Sequence, residues 1–286
     1  AGIATGQLAY AAAVAEDLWL NHGAWNDVAH FSLGDWFRAE GLLDTSNLIQ
    51  MVKQGIEQVV RAAPRLACKD ARVTLITTRL KAMKEEPGSL PVYEQPVRFE
   101  GADFLDHNKW VEIATAAAAS ATFPGVFAPT MVGGVACVDG GAVNNAPISC
   151  VLDDDVRQVI VITSESCDPE AQAPSGGADL FGKLADILIN ERISHDLEAA
   201  KKPNSLLADV ISALEATGAT AETKARVLGV LGWRHLDLVL VHPCPALAGT
   251  AFSAFFDRGL RQAYIDAGKA AAKAAISAHG KISRSL

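Results

Sequence analysis

Two short strings in this chain have the residue types and spacing of acyl-transfer chemistry. The first is Gly2-Ile3-Ala4-Thr5-Gly6, directly ahead of an alanine-rich segment. It has the frame of a G-x-S-x-G nucleophile elbow with alanine where the serine belongs. Glycines flank the central residue of such an elbow because its backbone is strained and neighbouring Cβ atoms would clash, and the helix behind it presents amides to a developing oxyanion. Two glycines four apart before a helix fit a plain helix start equally well. The second string is Asp139-Gly140-Gly141, within ACVDGGAVNNAPI. An aspartate at a strand end can aim its carboxylate into a pocket while the glycines turn the backbone away, which makes Asp139 a candidate general base. D-G-G taken alone is most often a simple turn.

Read together and in order, the strings resemble the patatin-like phospholipase family. The resemblance is most specific between Ser120 and Pro147: Ser120, Ala121, Pro124, Gly125, Phe127 and Pro129, then Val138, Asp139, Gly140, Gly141, Asn144, Asn145 and Pro147. Gly41-Leu42-Leu43-Asp44 also looks like the family's segment after the first helices. The resemblance implies a lipid acyl hydrolase, of phospholipase A or esterase type, working through a serine–aspartate dyad. It places the nucleophile slot at Ala4 and the base at Asp139. The Thr5 amide, in an elbow bounded by Gly2 and Gly6, would hold the oxyanion. Gly140, Gly141, Asn144 and Asn145 would support the loop carrying the carboxylate. No histidine is needed in such a dyad, and neither a cofactor nor a metal is implied.

Two departures from the family pattern matter. Ala4 has no oxygen, so this chain is expected to form no acyl-enzyme; loss of a serine nucleophile in another hydrolase costs about 10⁶-fold in turnover. An engineered replacement or a natural pseudoenzyme would read this way, the latter binding acyl chains or a partner in the same cleft. Serine to alanine removes the attacking oxygen and keeps the elbow, which favours the former. The chain also starts just before the elbow, so a leading strand and a glycine-rich oxyanion loop are expected upstream of Ala1.

The elements that must position these residues read as one α/β domain spanning 1–286, a mostly parallel sheet flanked by helices on both faces. Helices are expected over Gln7–Leu20, after Asp44-Thr45-Ser46 with Leu48, Val52, Ile56 and Val59/Val60 at helical spacing, from an Asp106 cap through Trp110–Ser120, and over Asp257–His279. Strands are expected at Val73–Thr78, Val135–Val138, Val159–Thr163 and Leu236–Val241. About 178–233, with Leu180, Leu184, Ile187 and Leu188 on one helical face, a loop at Lys201-Lys202-Pro203-Asn204 and a turn near Gly218, reads as a helical insertion or lid.

Composition narrows the alternatives. With 286 residues, 50% hydrophobic and 20% charged, the chain is neither disordered nor a mini-domain. A net charge of −8 leaves no basic footprint for nucleic acid. The partner expected is a lipid or small ester, with transient membrane-surface contact through Lys269, Lys273 and Lys281 as a lesser reading. The uncharged stretch Ile113–Val138 contains Pro124, Pro129 and three glycines, so it is not a membrane span. The five scattered cysteines read as buried free thiols, and without a signal peptide in the chain as given the expected location is cytoplasmic. His242, after the last strand, is the candidate third member of an ordinary serine–aspartate–histidine triad. Asp35-Trp36 and Asp153-Asp154-Asp155 read as surface, the latter without calcium-loop spacing, and Glu165 as a solvated loop carboxylate.

Overall fold

The computed structural model describes residues 1–28, 30–31, 43–84, 90–144, 147–152, 156–164, 166, 187, 198, 201–202, 204–231, 236–249 and 252–282. Gly41, Leu42, Asn145, Glu165, the Asp35-Trp36 pair, the Asp153–Asp155 run and Leu180, Leu184 and Leu188 lie outside these residues. The chain divides into two compact units, the first comprising 1–145, 174–189 and 248–265, the second 146–173, 190–247 and 266–286.

The first unit holds helix α1 (Leu8–His22), helix α2 (Ser46–Ala62), strand β1 (Arg72–Met83), strand β2 (Val92–Glu100), helix α3 (Trp110–Ala119), strand β3 (Thr130–Val132) and strand β4 (Val135–Asp139). The strands form a sheet in the order β2-β1-β4-β3, antiparallel at every pairing. The carboxylate of Asp44 accepts the Ser46 amide at 2.7 Å at the start of α2, and Ile56, Val59 and Val60 bury its apolar stripe. Asp106 accepts the Asn108 amide at 2.9 Å and so caps a short turn leading into α3, as expected of it. Ala114, Ala116, Ala118 and Ala119 of α3 are fully buried; their small side chains let the helix backbone approach its neighbours closely. Trp110 fixes the start of α3 by donating its indole N–H to the Phe104 carbonyl at 2.8 Å.

One buried cluster of this unit lies on one face of the sheet, while Ile76 and Val138, of opposite parity, are buried on the other. Ile56 and Val60 from α2, Trp110, Ile113, Ala116 and Ala119 from α3, Phe99, Val132 and Cys137 from the strands, Phe104 and Ala4 form that cluster. Val73, Leu75, Val97 and Val135 pack against it. Because side chains alternate across a strand, these residues define the inward parity of every strand in the sheet.

The second unit contains strand β5 (Gln158–Ile162), helix α4 (Ala221–Leu231) and strand β6 (Asp237–Val241), with β5 and β6 paired in parallel. Helix α5 (Arg258–Ile282) closes the described chain. Residues 201, 202 and 204 are helical where a loop was expected, and Asn204 binds the Leu236 backbone twice, at 2.6 and 2.9 Å. The turn at Gly218 is present, with φ 69°.

The expectation of a mostly parallel sheet needs correction. Among the described residues only β5–β6 is parallel. The strands β3 and β4 are joined by Gly133-Gly134, both at positive φ (57° and 82°), a two-residue connection that enforces an antiparallel hairpin. The strands β1 and β2 are likewise sequence neighbours, and a parallel pairing would require a long crossover. The cysteine reading also changes: Cys68, Cys137 and Cys150 are in no disulfide, and of the three only Cys137 is buried, whereas Cys244 is disulfide-bonded. No described helix is long and apolar enough to cross a membrane.

Candidate active site

Asp139 is held from three directions. It ends β4 opposite Thr77 of β1. Its N–H donates to the Thr122 carbonyl at 2.8 Å, and its carbonyl accepts the Thr78 hydroxyl at 2.8 Å. One carboxylate oxygen accepts the Gly141 amide at 2.8 Å, capping the 3-10 turn Gly140–Ala142. Thr122 is itself fixed by its hydroxyl donating to the Ala118 carbonyl at 2.7 Å, and hydroxyl contacts run on from Thr122 to Thr130 and from Thr130 to Thr45. Burial holds the Asp139 carboxyl above its ordinary pKa, partly opposed by the Gly141 amide. Desolvation disfavours the charged form, so the carboxylate is a stronger proton acceptor than a solvated one.

Gly140 is required by a close approach. A Cβ there would lie 2.1 Å from the Ile76 carbonyl oxygen. Ser120 donates its hydroxyl to that same oxygen at 2.7 Å, so β1, the end of α3 and the Asp139 turn meet at one atom. Asn144 closes the turn by donating its N–H to the Gly140 carbonyl at 2.9 Å and its side-chain amide to Glu94 at 3.2 Å.

Ala4 occupies a four-residue helical turn, Gly2–Thr5, ended by Gly6 at φ 70°. The left-handed residue is therefore Gly6, and Ala4 itself is helical and 2% exposed. Its carbonyl accepts the amides of Ala67 and Cys68, at 2.8 and 3.1 Å. Both the amide and the hydroxyl of Thr5 donate to the Ala1 carbonyl, at 2.9 and 3.0 Å.

Strand alternation relates the two halves of the site. Cys137 belongs to the buried cluster that includes Ala4, and Asp139, two residues on, has the same parity. Asp139 thus projects on the sheet face that packs against that cluster. Two cross-strand rows on this face depart from the apolar pattern: Gln95, Thr77 and Asp139 in one, Arg79, Cys137 and Thr130 in the next. Sequence reasoning passed over Gln95 and Arg79. The signal was present in the inward parity 73, 75, 77, 79 of β1.

A model of patatin-like phospholipases matches residues 7–152, just over half the chain. The chain belongs to the patatin-like phospholipase family. The matched region contains Asp139, Gly140, Gly141, Asn144 and Asn145, and it begins one residue after Gly6. Lipid acyl hydrolysis is the chemistry of this family. No curated protein sequence matches the chain.

His242 lies in the second unit, past β6, with Nδ1 buried and without a hydrogen-bond partner. Lys269 and Lys273 are exposed on α5. Among the described residues no group of three or more histidine, cysteine or carboxylate side chains is placed to hold a metal.

Proposed function

We propose that this fold is the scaffold of a serine–aspartate lipid acyl hydrolase, disarmed at Ala4. The observation that carries the reading is the inward, backbone-locked and largely desolvated carboxylate of Asp139 on the sheet face whose core cluster includes Ala4. With a hydroxyl at residue 4, Asp139 would take the serine proton as Oγ attacks the ester carbonyl carbon. Backbone amides would hold the tetrahedral oxyanion. Collapse would expel the alcohol, protonated from Asp139, and leave an acyl-enzyme. Water, giving a proton to Asp139, would then release the acid and restore the serine. For the Thr5 amide to serve the oxyanion, the Ala1 carbonyl that it now binds must move away. Without Oγ no covalent step can start.

The test is to install the nucleophile, Ala4→Ser, and assay short-chain nitrophenyl esters. Ester hydrolysis should rise by several orders of magnitude, in line with the roughly 10⁶-fold loss on removing such a serine elsewhere, and Asp139→Asn in the same background should abolish the gain. No gain over the alanine form, or a gain indifferent to Asp139→Asn, removes the dyad. One observation favours a second reading, a non-catalytic member that binds acyl chains or a partner: Ala4 is a core residue whose neighbours' amides are already bonded. Fatty-acid binding without turnover in the serine form would decide for it.

A further inference from the structure

The row next to Asp139 carries a cation that the acyl-transfer steps leave unused. Arg79 lies opposite Cys137, while Asp139 lies opposite Thr77, two residues earlier on β1. Such diagonal positions in an antiparallel ladder are roughly 7–8 Å apart, within reach of long side chains. The parity of Arg79 is inward: Cys137, across from it, is fully buried, and the next residue on β1, Leu80, is 54% exposed.

The Nε of Arg79 is buried and has no hydrogen-bond partner. Its guanidinium makes no ion pair with a carboxylate among the described residues, and it does not neutralise Asp139, whose upward shift comes from burial and is opposed by the Gly141 amide alone. A buried donor without an acceptor costs free energy and calls for an explanation. Arg261, whose Nε is likewise without a partner, still satisfies its Nη1 and Nη2 on the carbonyls of Ala254 and Leu20, at 2.7 and 3.2 Å. Among the described residues the guanidinium of Arg79 has no such bond. A guanidinium is a planar fork of five donors that suits phosphate oxygens two at a time.

We propose that Arg79 binds the phosphate of the substrate's headgroup beside the Asp139 carboxylate, so that the site prefers anionic phospholipid esters to neutral glycerides. This rests on the acyl-hydrolase reading for its substrate. Arg79 is then a specificity residue that anchors the alcohol side of the scissile ester and takes no part in proton transfer.

With no hydroxyl at residue 4, lipid bound by the chain should not turn over, which allows affinity to be measured directly. Dihexanoylphosphatidic acid, dihexanoylglycerol and inorganic phosphate are titrated calorimetrically into the parent chain, Arg79→Gln and Arg79→Lys. The parent should bind the phosphatidic acid about tenfold more tightly than the glyceride, the size of one charge-assisted contact. Arg79→Gln, which removes no side-chain hydrogen bond among the described residues, should erase that difference while leaving glyceride affinity and melting temperature in place; Arg79→Lys should restore part of it. Equal affinities in the parent, no binding of either lipid, or a preference that survives Arg79→Gln overturns the inference. Inorganic phosphate bound as tightly as the lipid, with the same dependence on Arg79, overturns it in favour of a free-anion site. Hydrolysis by the Ala4→Ser form separates this from the dyad. Equal rates on neutral and anionic esters leave the dyad standing and remove the role of Arg79; Arg79-dependent binding without hydrolysis does the reverse.

Discussion

Replacing Gly140 by alanine puts the geometry that presents Asp139 to a direct test. The added Cβ would stand 2.1 Å from the Ile76 oxygen and 2.5 Å from its carbonyl carbon, where ordinary contact begins near 3.4 Å. The turn and β1 must therefore separate by about 1 Å, and overpacking of that kind costs about 1–3 kcal/mol. The same movement pulls on the Ser120 and Thr78 hydroxyl bonds that join β1 to α3 and to Asp139, at 2.7 and 2.8 Å, each worth about 1 kcal/mol. The sum, about 3–5 kcal/mol, corresponds to a melting temperature lower by roughly 6–15 °C for a chain of this size. Gly268 is the control. It lies inside α5 with nothing within 4 Å of an added Cβ, so Gly268→Ala should stabilise by about 0.5–1 kcal/mol through helix propensity. Thermal melts followed by far-UV circular dichroism read both. A Gly140→Ala chain melting within about 2 °C of the parent would show that the turn does not depend on the close approach, and the presentation of Asp139 argued from it would fall.

Asp139→Asn keeps an oxygen for the Gly141 amide and removes the buried charge. Because burial raises the Asp139 carboxyl in the folded chain, folding is favoured by protonation there: the stability it contributes is full below the ordinary pKa of 3.8 and lost as pH rises through the raised value. Asp139→Asn should therefore melt higher than the parent at neutral pH, with the gap closing towards pH 4 and below; a gap that widens on acidification would reverse the assigned cause. The same pair of residues can be probed without activity. Ala4→Ser places a hydroxyl at a position that is 2% exposed, at a cost of about 1–3 kcal/mol if it has no partner. If Oγ reaches the carboxylate, that cost should be smaller by about 1 kcal/mol with Asp139 in place than in the Asp139→Asn background, as read by a double-mutant cycle in urea; a coupling of zero would mean that the two side chains do not meet.

The turn that carries Asp139 was legible because its determinants are local. Asp139-Gly140-Gly141 needs a strand end, a residue without Cβ and a cap, and all three follow from neighbours in sequence. The helices starting at Leu8, Ser46, Trp110 and Arg258 were legible for the same reason, through caps and apolar periodicity. The antiparallel order was not. An α/β alternation leads to an expectation of crossovers, whereas Gly133-Gly134 is a hairpin turn whose meaning depends on both flanking segments being strands. The elbow is the least legible part. Gly2 and Gly6 match its frame, yet the chain places the left-handed conformation at Gly6 and keeps Ala4 helical, a choice set by the Ala67 and Cys68 amides from another segment.

The two polar rows on the inward face of the sheet give the strongest argument that the site is functional. Along β1 the inward positions run Val73, Leu75, Thr77, Arg79, and their partners on β2 run Phe99, Val97, Gln95. The face is apolar where α2 and α3 cover it and turns polar only where Asp139 joins it. A sheet built for stability alone would continue valine and leucine through these positions, since each buried polar group must find a partner or cost free energy. Thr77 finds one in the Gln95 carbonyl at 3.1 Å and Cys137 in the Gln95 side chain at 3.4 Å. Asp139 and Arg79 remain with capacity to spare, one an acceptor and one a donor, on adjacent rows of the same face. Local violations of the core pattern concentrate where a fold trades stability for chemistry, and here they concentrate on a carboxylate and a cation within one side chain's reach of each other.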